Sequence, residues 1–200
     1  KSQTENEFEV EVDFTNDIFN NKGNLHIKCK NIIISTGSDS KTIPGNELKI
    51  DGENIITSKY ALNLTSIPEK LLIIGGGYIG LEMGSFFNRL GSEVTIVDFC
   101  DRLMGDMDED IAKRIKNILE KQGIKFILDT KVGSSILNSQ GKLHEIGLEN
   151  LSNGQKTNLF FDKILIAVGR KPMTRKIGLE EIGVKFDKEG RIHVDEKLQS

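Results

Sequence analysis

The chain has 200 residues, with 27 Lys and Arg against 30 Asp and Glu and a net charge of −3. That balance excludes the strongly basic footprint of a nucleic-acid or membrane-surface binder. No apolar run approaches the roughly 18 residues of a membrane-crossing helix, and no signal or transit peptide is recognisable at the abrupt start, Lys1. The length suits one large domain, or one domain with pieces of another, and the expectation is a fragment of a longer protein.

Glu7 to Phe14 alternates acids with Phe8, Val10, Val12 and Phe14, the period-two pattern of a half-buried antiparallel strand. Asn16 to Asn24 is polar and turn-rich. Leu25 to Ile34 reads as a second strand running into Ser35-Thr36-Gly37-Ser38, the kind of strand end where ligands bind in open α/β sheets. Residues 46–69 read as a linker with one short helical piece, Ser58 to Asn63.

Leu71-Leu72-Ile73-Ile74 is all apolar, as expected of a parallel strand covered on both faces. It enters Gly75-Gly76-Gly77-Tyr78-Ile79-Gly80. Gly75 permits the tight turn, Gly77 lets the backbone approach a pyrophosphate, and Gly80 lets the following helix pack on the strand. The helix then presents free N–H groups and a positive dipole end to an anion. Ile79, Met83, Phe86, Phe87 and Leu90 recur at helical spacing as its buried face, and Gly91 suits a left-handed C-terminal cap.

Glu93 to Val97 reads as the next strand, with Asp98 at its end, 18 positions beyond Gly80. An acid about 20 residues on accepts hydrogen bonds from a ribose diol. Against a 2′-phosphate it would meet like charge at about 1–4 kcal/mol near a surface, so the expected coenzyme is NAD rather than NADP. Arg102 counts against this, because an arginine nearby can hold that phosphate. The bland alternative is an ordinary strand–helix turn with no ligand.

Asp106 and Glu109 resemble a capping box, with Asp106 as N-cap and Ile111, Ile115, Ile118 and Leu119 as the buried stripe. That helix ends at Gly123, and Ile124 to Leu128 is a third parallel strand, completing a βαβαβ arrangement. Val132 to Leu148 and Gln155 to Phe161 read as an antiparallel meander; Lys163 to Val168 returns to the parallel sheet and ends at Gly169. Gly23, Gly141 and Gly154 need no role beyond turns, and Ile192 to Asp195 is strand-like. The fold class is therefore α/β, a Rossmann-like parallel sheet with an antiparallel meander.

Cys29 and Cys100 lie 71 positions apart and fit neither a metal pattern nor a redox pair, so both read as free thiols of a reducing compartment. His26, His144 and His193 stand singly, and no metal site is expected.

The motifs Ser35-Thr36-Gly37-Ser38, Gly75 to Glu82, Leu90-Gly91-Ser92-Glu93-Val94-Thr95 with Asp98, Gln122 to Phe126, Val168 to Pro172 and Gly190 to Asp195 together resemble the pyridine nucleotide–disulfide oxidoreductases. Within that family they are most similar to the dihydrolipoamide dehydrogenases, which more often carry Glu at the Asp98 position. Gly80 also favours this branch, since the NADP-using glutathione and trypanothione reductases usually carry alanine there.

The resemblance implies two cofactors. Gly75, Gly76, Gly77, Tyr78, Ile79, Gly80, Leu81 and Glu82 would hold NAD, with Asp98 on the adenosine ribose, Val132 at the adenine and Gly169 toward the nicotinamide. Glu82 would reach toward nicotinamide and flavin, and Tyr78 could cover an empty nicotinamide pocket. Thr36, Gly37 and Ser38 would touch FAD. By the same resemblance residues 1–45 end a first segment of the FAD domain, 70–170 are the NAD domain, and 171–200 return to the FAD domain.

The family's flavin glycine motif, Cys-x4-Cys disulfide and His–Glu dyad are absent from these residues, so no catalytic residue is assigned and the chain alone is expected to be inactive and flavin-free. The parent would oxidise dihydrolipoamide through the disulfide and FAD to NAD, as a homodimer attached to 2-oxo acid dehydrogenase complexes in the mitochondrial matrix, or otherwise in the cytoplasm. The alternatives are an NADH-dependent peroxide or disulfide reductase of the same family and a non-catalytic dinucleotide-binding module.

Overall fold

In a computed structural model, Leu71, Leu72 and Ile73 have no exposed surface, because the strand they form is covered on both sides. The structure describes residues 3–4, 7–13, 24–43, 45, 48–137 and 144–200. Phe14, the polar turn over 16–23, Pro44 and Gly141 lie outside the described residues.

In chain order the elements are β1 (Gln3–Thr4), β2 (Glu7–Asp13), β3 (Asn24–Cys29), β4 (Ser38–Ser40), β5 (Ile55–Ile56), α1 (Ser58–Ala61), β6 (Lys70–Ile74), α2 (Tyr78–Arg89) and β7 (Glu93–Val97). There follow α3 (Glu109–Lys121), β8 (Lys125–Ile127), β9 (Thr130–Leu137), β10 (His144–Asn150), β11 (Lys156–Phe161), β12 (Lys163–Ile166) and β13 (Arg170–Pro172). They fall into two units, one of Lys1–Asp39 with Lys171–Ser200, the other of Ser40–Arg170.

The second unit is built on a parallel sheet of order β5-β12-β6-β7-β8. Alternate residues of its central strands go to opposite faces. Leu71, Ile73, Val94 and Ile96 pack with Leu81 and Phe87 of α2 and Leu119 of α3. Leu72, Ile74, Val97 and Ile164 pack with Val132, Ile146, Leu148 and Phe161 of the antiparallel meander β9-β10-β11. Helices cover one face and a second sheet the other, which is why both alternating sets are apolar. Each fully buried aliphatic side chain there contributes about 1.5–3 kcal/mol.

Several sequence expectations change. The stretch 46–69, read as a linker, carries β5, which pairs in parallel with β12, and its Leu48, Ile55, Ile56 and Ala61 are buried. Two sheet residues are too few to show a period.

On α2 the sheet-facing residues are Gly80, Leu81, Gly84 and Phe87, while Phe86 and Leu90 stay about half exposed. The helix lies so close that a Cβ at Gly84 would stand 2.9 Å from Cδ1 of Ile96. Glycines thus form the contact face, and counting apolar residues overlooks them.

The N-cap of α3 is Asp108, whose carboxylate accepts from the Asp110 N–H at 3.0 Å; Asp106 lies in the turn before it. Ala112 and Leu119 are buried and Ile115 half-buried, while Ile111 and Ile118 are exposed.

In the first unit, β1, β2 and β3 form an antiparallel sheet with Phe8 opposite Cys29. The strand stops at Cys29, and Ile32 to Ile34 are not strand; Ile33 is 92% exposed. An apolar run becomes a buried strand only with covered neighbours, and among the described residues none pairs with it. The later segment is tied by Thr174 Oγ1 donating to the Gly190 carbonyl at 2.6 Å, and the strand-like 192–195 reduces to a single bridge from Ile192 to Phe186.

Candidate dinucleotide cleft

The turn between β6 and α2 owes its shape to three glycines with different constraints. Gly75 has φ +113°, and a Cβ there would stand 2.5 Å from the Ala167 carbonyl oxygen. Gly80 lies under the turn, where a Cβ would meet the Gly75 carbonyl oxygen at 1.9 Å, so this glycine sets the helix–strand approach. Gly77 differs. Its backbone is ordinary (φ −80°, ψ −174°), and nothing lies within 4 Å of where its Cβ would be. No protein atom requires glycine at 77; a ligand approaching the backbone would.

Gly77 is the N-cap of α2, with no side-chain cap bond and no acid in the helix's first turn. No side chain of the helix itself therefore caps its positive end, which favours an anion at the turn.

Gly75, Gly77, Tyr78, Ile79, Asp98, Val132 and Gly169 all line one cavity of about 1170 Å³, which also takes in Phe99, Cys100 and Arg102. Gly76, Gly80 and Leu81 are buried behind its wall. Glu82 is exposed and borders instead a shallower groove between α2 and α3, with Phe86 and Ile115. Tyr78 is exposed at the first position of α2. Thr36, Gly37 and Ser38 belong to the other unit, where the Gly37 carbonyl accepts from the Met173 N–H at 3.0 Å.

Asp98 sits at the carboxyl end of β7, and its side chain is engaged on both oxygens. Oδ2 accepts from the Gly76 N–H at 2.5 Å and Oδ1 from the Cys100 N–H at 2.8 Å. The Cys100 thiol stands beside this carboxylate in the same cavity. Burial first, then the Asp98 charge, push that thiol above its ordinary pKa and keep it protonated. The Arg102 guanidinium turns back to donate to the Gly105 carbonyl.

Sequence reasoning passed over Phe99 and treated Cys100 as an isolated thiol. Their position beside Asp98, at the exit of a parallel strand, was the available signal.

The residues fit a dinucleotide: free space at Gly77, a helix N-terminus without a side-chain cap, and a carboxylate on the neighbouring strand end. Among the described residues no cluster of His, Cys, Asp or Glu could hold a metal, and no helix is long and apolar enough to cross a membrane.

A profile of the pyridine nucleotide-disulphide oxidoreductase family matches residues 2–200. The mitochondrial dihydrolipoyl dehydrogenase 2 of Arabidopsis thaliana is 46% identical over 177 residues, 88% of this chain and 34% of that protein. Leghemoglobin reductase of Vigna unguiculata is 47% identical over 176 residues, 88% of this chain and 33% of its own. Among solved structures, the HOCl-induced flavoprotein disulfide reductase RclA of Escherichia coli superposes with a TM-score of 0.74 at 32% identity, covering 88% of this chain and 38% of that one. LpdA of Mycobacterium tuberculosis reaches 0.78 at 20% identity over 95% of this chain and 38% of its own, a likeness of fold alone. The chain spans about a third of the length of these curated relatives. With the glycine turn, the strand-end acid and these matches in hand, the chain belongs to the pyridine nucleotide-disulphide oxidoreductase family.

Proposed function

We propose that this chain is the NAD-binding portion of a flavoprotein dihydrolipoamide dehydrogenase. The carrying observation is Gly77, a glycine with ordinary backbone and open space around its missing Cβ, at a turn whose neighbouring strand ends in Asp98. In support stand the mitochondrial dihydrolipoyl dehydrogenases at 43–46% identity.

On this reading Gly75, Gly77 and the first N–H groups of α2 hold the pyrophosphate, Asp98 the adenosine ribose, Val132 the adenine side and Gly169 the nicotinamide side. Tyr78, which lines the cleft, covers the nicotinamide pocket when it is empty; Glu82 borders the neighbouring groove, and no nucleotide contact is assigned to it. Thr36, Gly37 and Ser38 contribute to FAD binding. NAD supplies the final hydride acceptor of the reaction and FAD the relay from a redox disulfide. The chain's own part is to bind, orient and select the nucleotide. Cys29 and Cys100, 71 positions apart in sequence, do not supply the disulfide. The division into an NAD domain (70–170) and FAD-domain segments belongs to the same proposal. So do a homodimeric parent, its attachment to 2-oxo acid dehydrogenase complexes, and a mitochondrial matrix location, the last resting on the relatives' names.

Calorimetric titration of NADH and NADPH into the chain tests the reading. The expected result is NADH binding with at least tenfold preference over NADPH, about 1.4 kcal/mol, within the range of like-charge repulsion at Asp98. Equal affinities would defeat the NAD assignment, and no binding of either would defeat the function.

A further inference from the structure

Asp129 stands at the turn between β8 and β9 with φ +52°, a left-handed conformation that few non-glycine residues adopt and that Asp and Asn tolerate best. An outlier of this kind points to something the backbone must present. Here it presents hydrogen bonds to the segment carrying Asp98. The Asp98 N–H donates to the Ile127 carbonyl at 3.0 Å, and the Asp98 carbonyl accepts from the Thr130 N–H at 3.0 Å. Between them the Asp129 N–H donates to the Cys100 carbonyl at 2.9 Å. The three bonds come from residues on either side of Asp129 and from Asp129 itself. An extended conformation at 129 would redirect the chain that follows it, turning the Thr130 N–H away from the Asp98 carbonyl and breaking the register.

Asp129 is in turn held from behind. Its carbonyl accepts from the Leu151 N–H at 2.8 Å and from Asn150 Nδ2 at 3.3 Å. Its carboxylate accepts from the Ser152 N–H at 3.2 Å and from the Ser152 hydroxyl. The β10–β11 turn therefore clamps Asp129, and Asp129 fixes residues 98–100, whose Cys100 N–H grips the Asp98 carboxylate.

We propose that Asp129 is a positioning residue for coenzyme recognition: held by Ser152, it sets where the Asp98 carboxylate stands in the cleft, and so sets the preference for a ribose diol over a 2′-phosphate. This rests on the reading of the cleft as an NAD site. Asp129 touches no nucleotide itself.

The test titrates NADH and NADPH into the 200-residue chain and three variants, with thermal melts alongside. Asp129→Ala removes both the tolerance for positive φ and the carboxylate. NADH affinity should fall about 2- to 30-fold, the range for residues acting through others. NADPH affinity, which gains nothing from Asp98, should change less, so the preference narrows. Asp129→Asn keeps the backbone tolerance and one acceptor oxygen and should stay within about threefold of the unaltered chain. Ser152→Ala, at an exposed turn, removes the hydroxyl grip and should shift affinity and preference in the same direction as Asp129→Ala; if Asp129→Ala does not fold, this variant decides. An unaltered chain that binds NADH, with Asp129→Ala and Ser152→Ala unchanged in affinity and preference, overturns the assignment alone. Equal loss for both coenzymes marks a merely structural role and overturns it too. An unaltered chain that binds neither coenzyme overturns the function proposed above, and this inference with it.

Discussion

Replacing Gly77 by Ala separates binding from folding at the glycine turn. The folded chain has room for the methyl group, with no heavy atom within 4 Å of the new Cβ and backbone angles that alanine adopts freely. Two small stability effects oppose each other. Alanine is a poorer N-cap than glycine, by up to about 1 kcal/mol. Losing glycine's freedom in the unfolded chain returns about 0.4–1 kcal/mol. The net change is within about 1 kcal/mol in either direction, or about 4 °C or less in melting temperature for a chain of this size. A bound pyrophosphate, however, must approach the backbone where the methyl group now stands. Overpacking a close contact by one methyl group costs about 1–3 kcal/mol, roughly 5- to 150-fold in affinity. The expected outcome is a normal melt with NADH affinity reduced about 5- to 150-fold, read by calorimetry. Gly77→Ala material that folds and binds NADH like the unaltered chain would refute the claim that the open space at 77 belongs to a ligand.

Gly80→Ala should behave in the opposite way. Its Cβ would stand 1.9 Å from the Gly75 carbonyl oxygen, so helix and turn must part by about 1 Å, an overpacking cost of about 1–3 kcal/mol seen as a melting temperature lower by about 2–12 °C. Asp98→Asn keeps one acceptor oxygen and loses the charge. One of the two amides it now satisfies is left without its carboxylate oxygen, at about 1–3 kcal/mol of stability in a melt, and the NADH preference over NADPH should narrow in paired titrations. His144 is buried in β10, where desolvation holds the imidazole below its ordinary pKa; the nearby Asp51 carboxylate opposes that shift and the Lys163 ammonium adds to it. Below about pH 6.5 the unfolded chain therefore binds a proton that the folded chain refuses. Stability should be full above that pH and decline as pH falls from it toward the lower folded value. Denaturant melts from pH 7.5 to 5 would show the slope, and His144→Phe should flatten it.

The sequence makes the parallel sheet legible because strands buried on both faces leave uninterrupted apolar runs, as at Leu71–Ile74 and Val94–Val97. The glycine turn was legible because each position has a distinct steric demand. The helix faces were not. On α2 the contact surface is Gly80 and Gly84, so the residues nearest the sheet contribute least to any hydropathy count. On α3 the capping-box reading began two residues early, because Asp106 and Asp108 both offer a carboxylate and only backbone geometry selects Asp108. The edge strand at Ile55–Ile56 is held by pairing with β12, a long-range contact with no local signature. At the site, Asp98 could be picked out from spacing, but the backbone bonds tying its segment to residues 127–130 could not, since pairing at such long range has no local signature.

On the proposed reading, Asp98 is one carboxylate that serves both the protein and a coenzyme. An ionised carboxylate offers about four acceptor positions. Two are taken by the Gly76 and Cys100 amides, which point the group and fix its rotamer. Those two bonds hold the carboxylate at the wall of the cleft, which Asp98 lines. A ribose diol gains charge-assisted hydrogen bonds without paying for its orientation. On the same reading, the Gly76 amide ties Asp98 to the turn that carries Gly75 and Gly77, so the contacts to ribose and phosphate are set together.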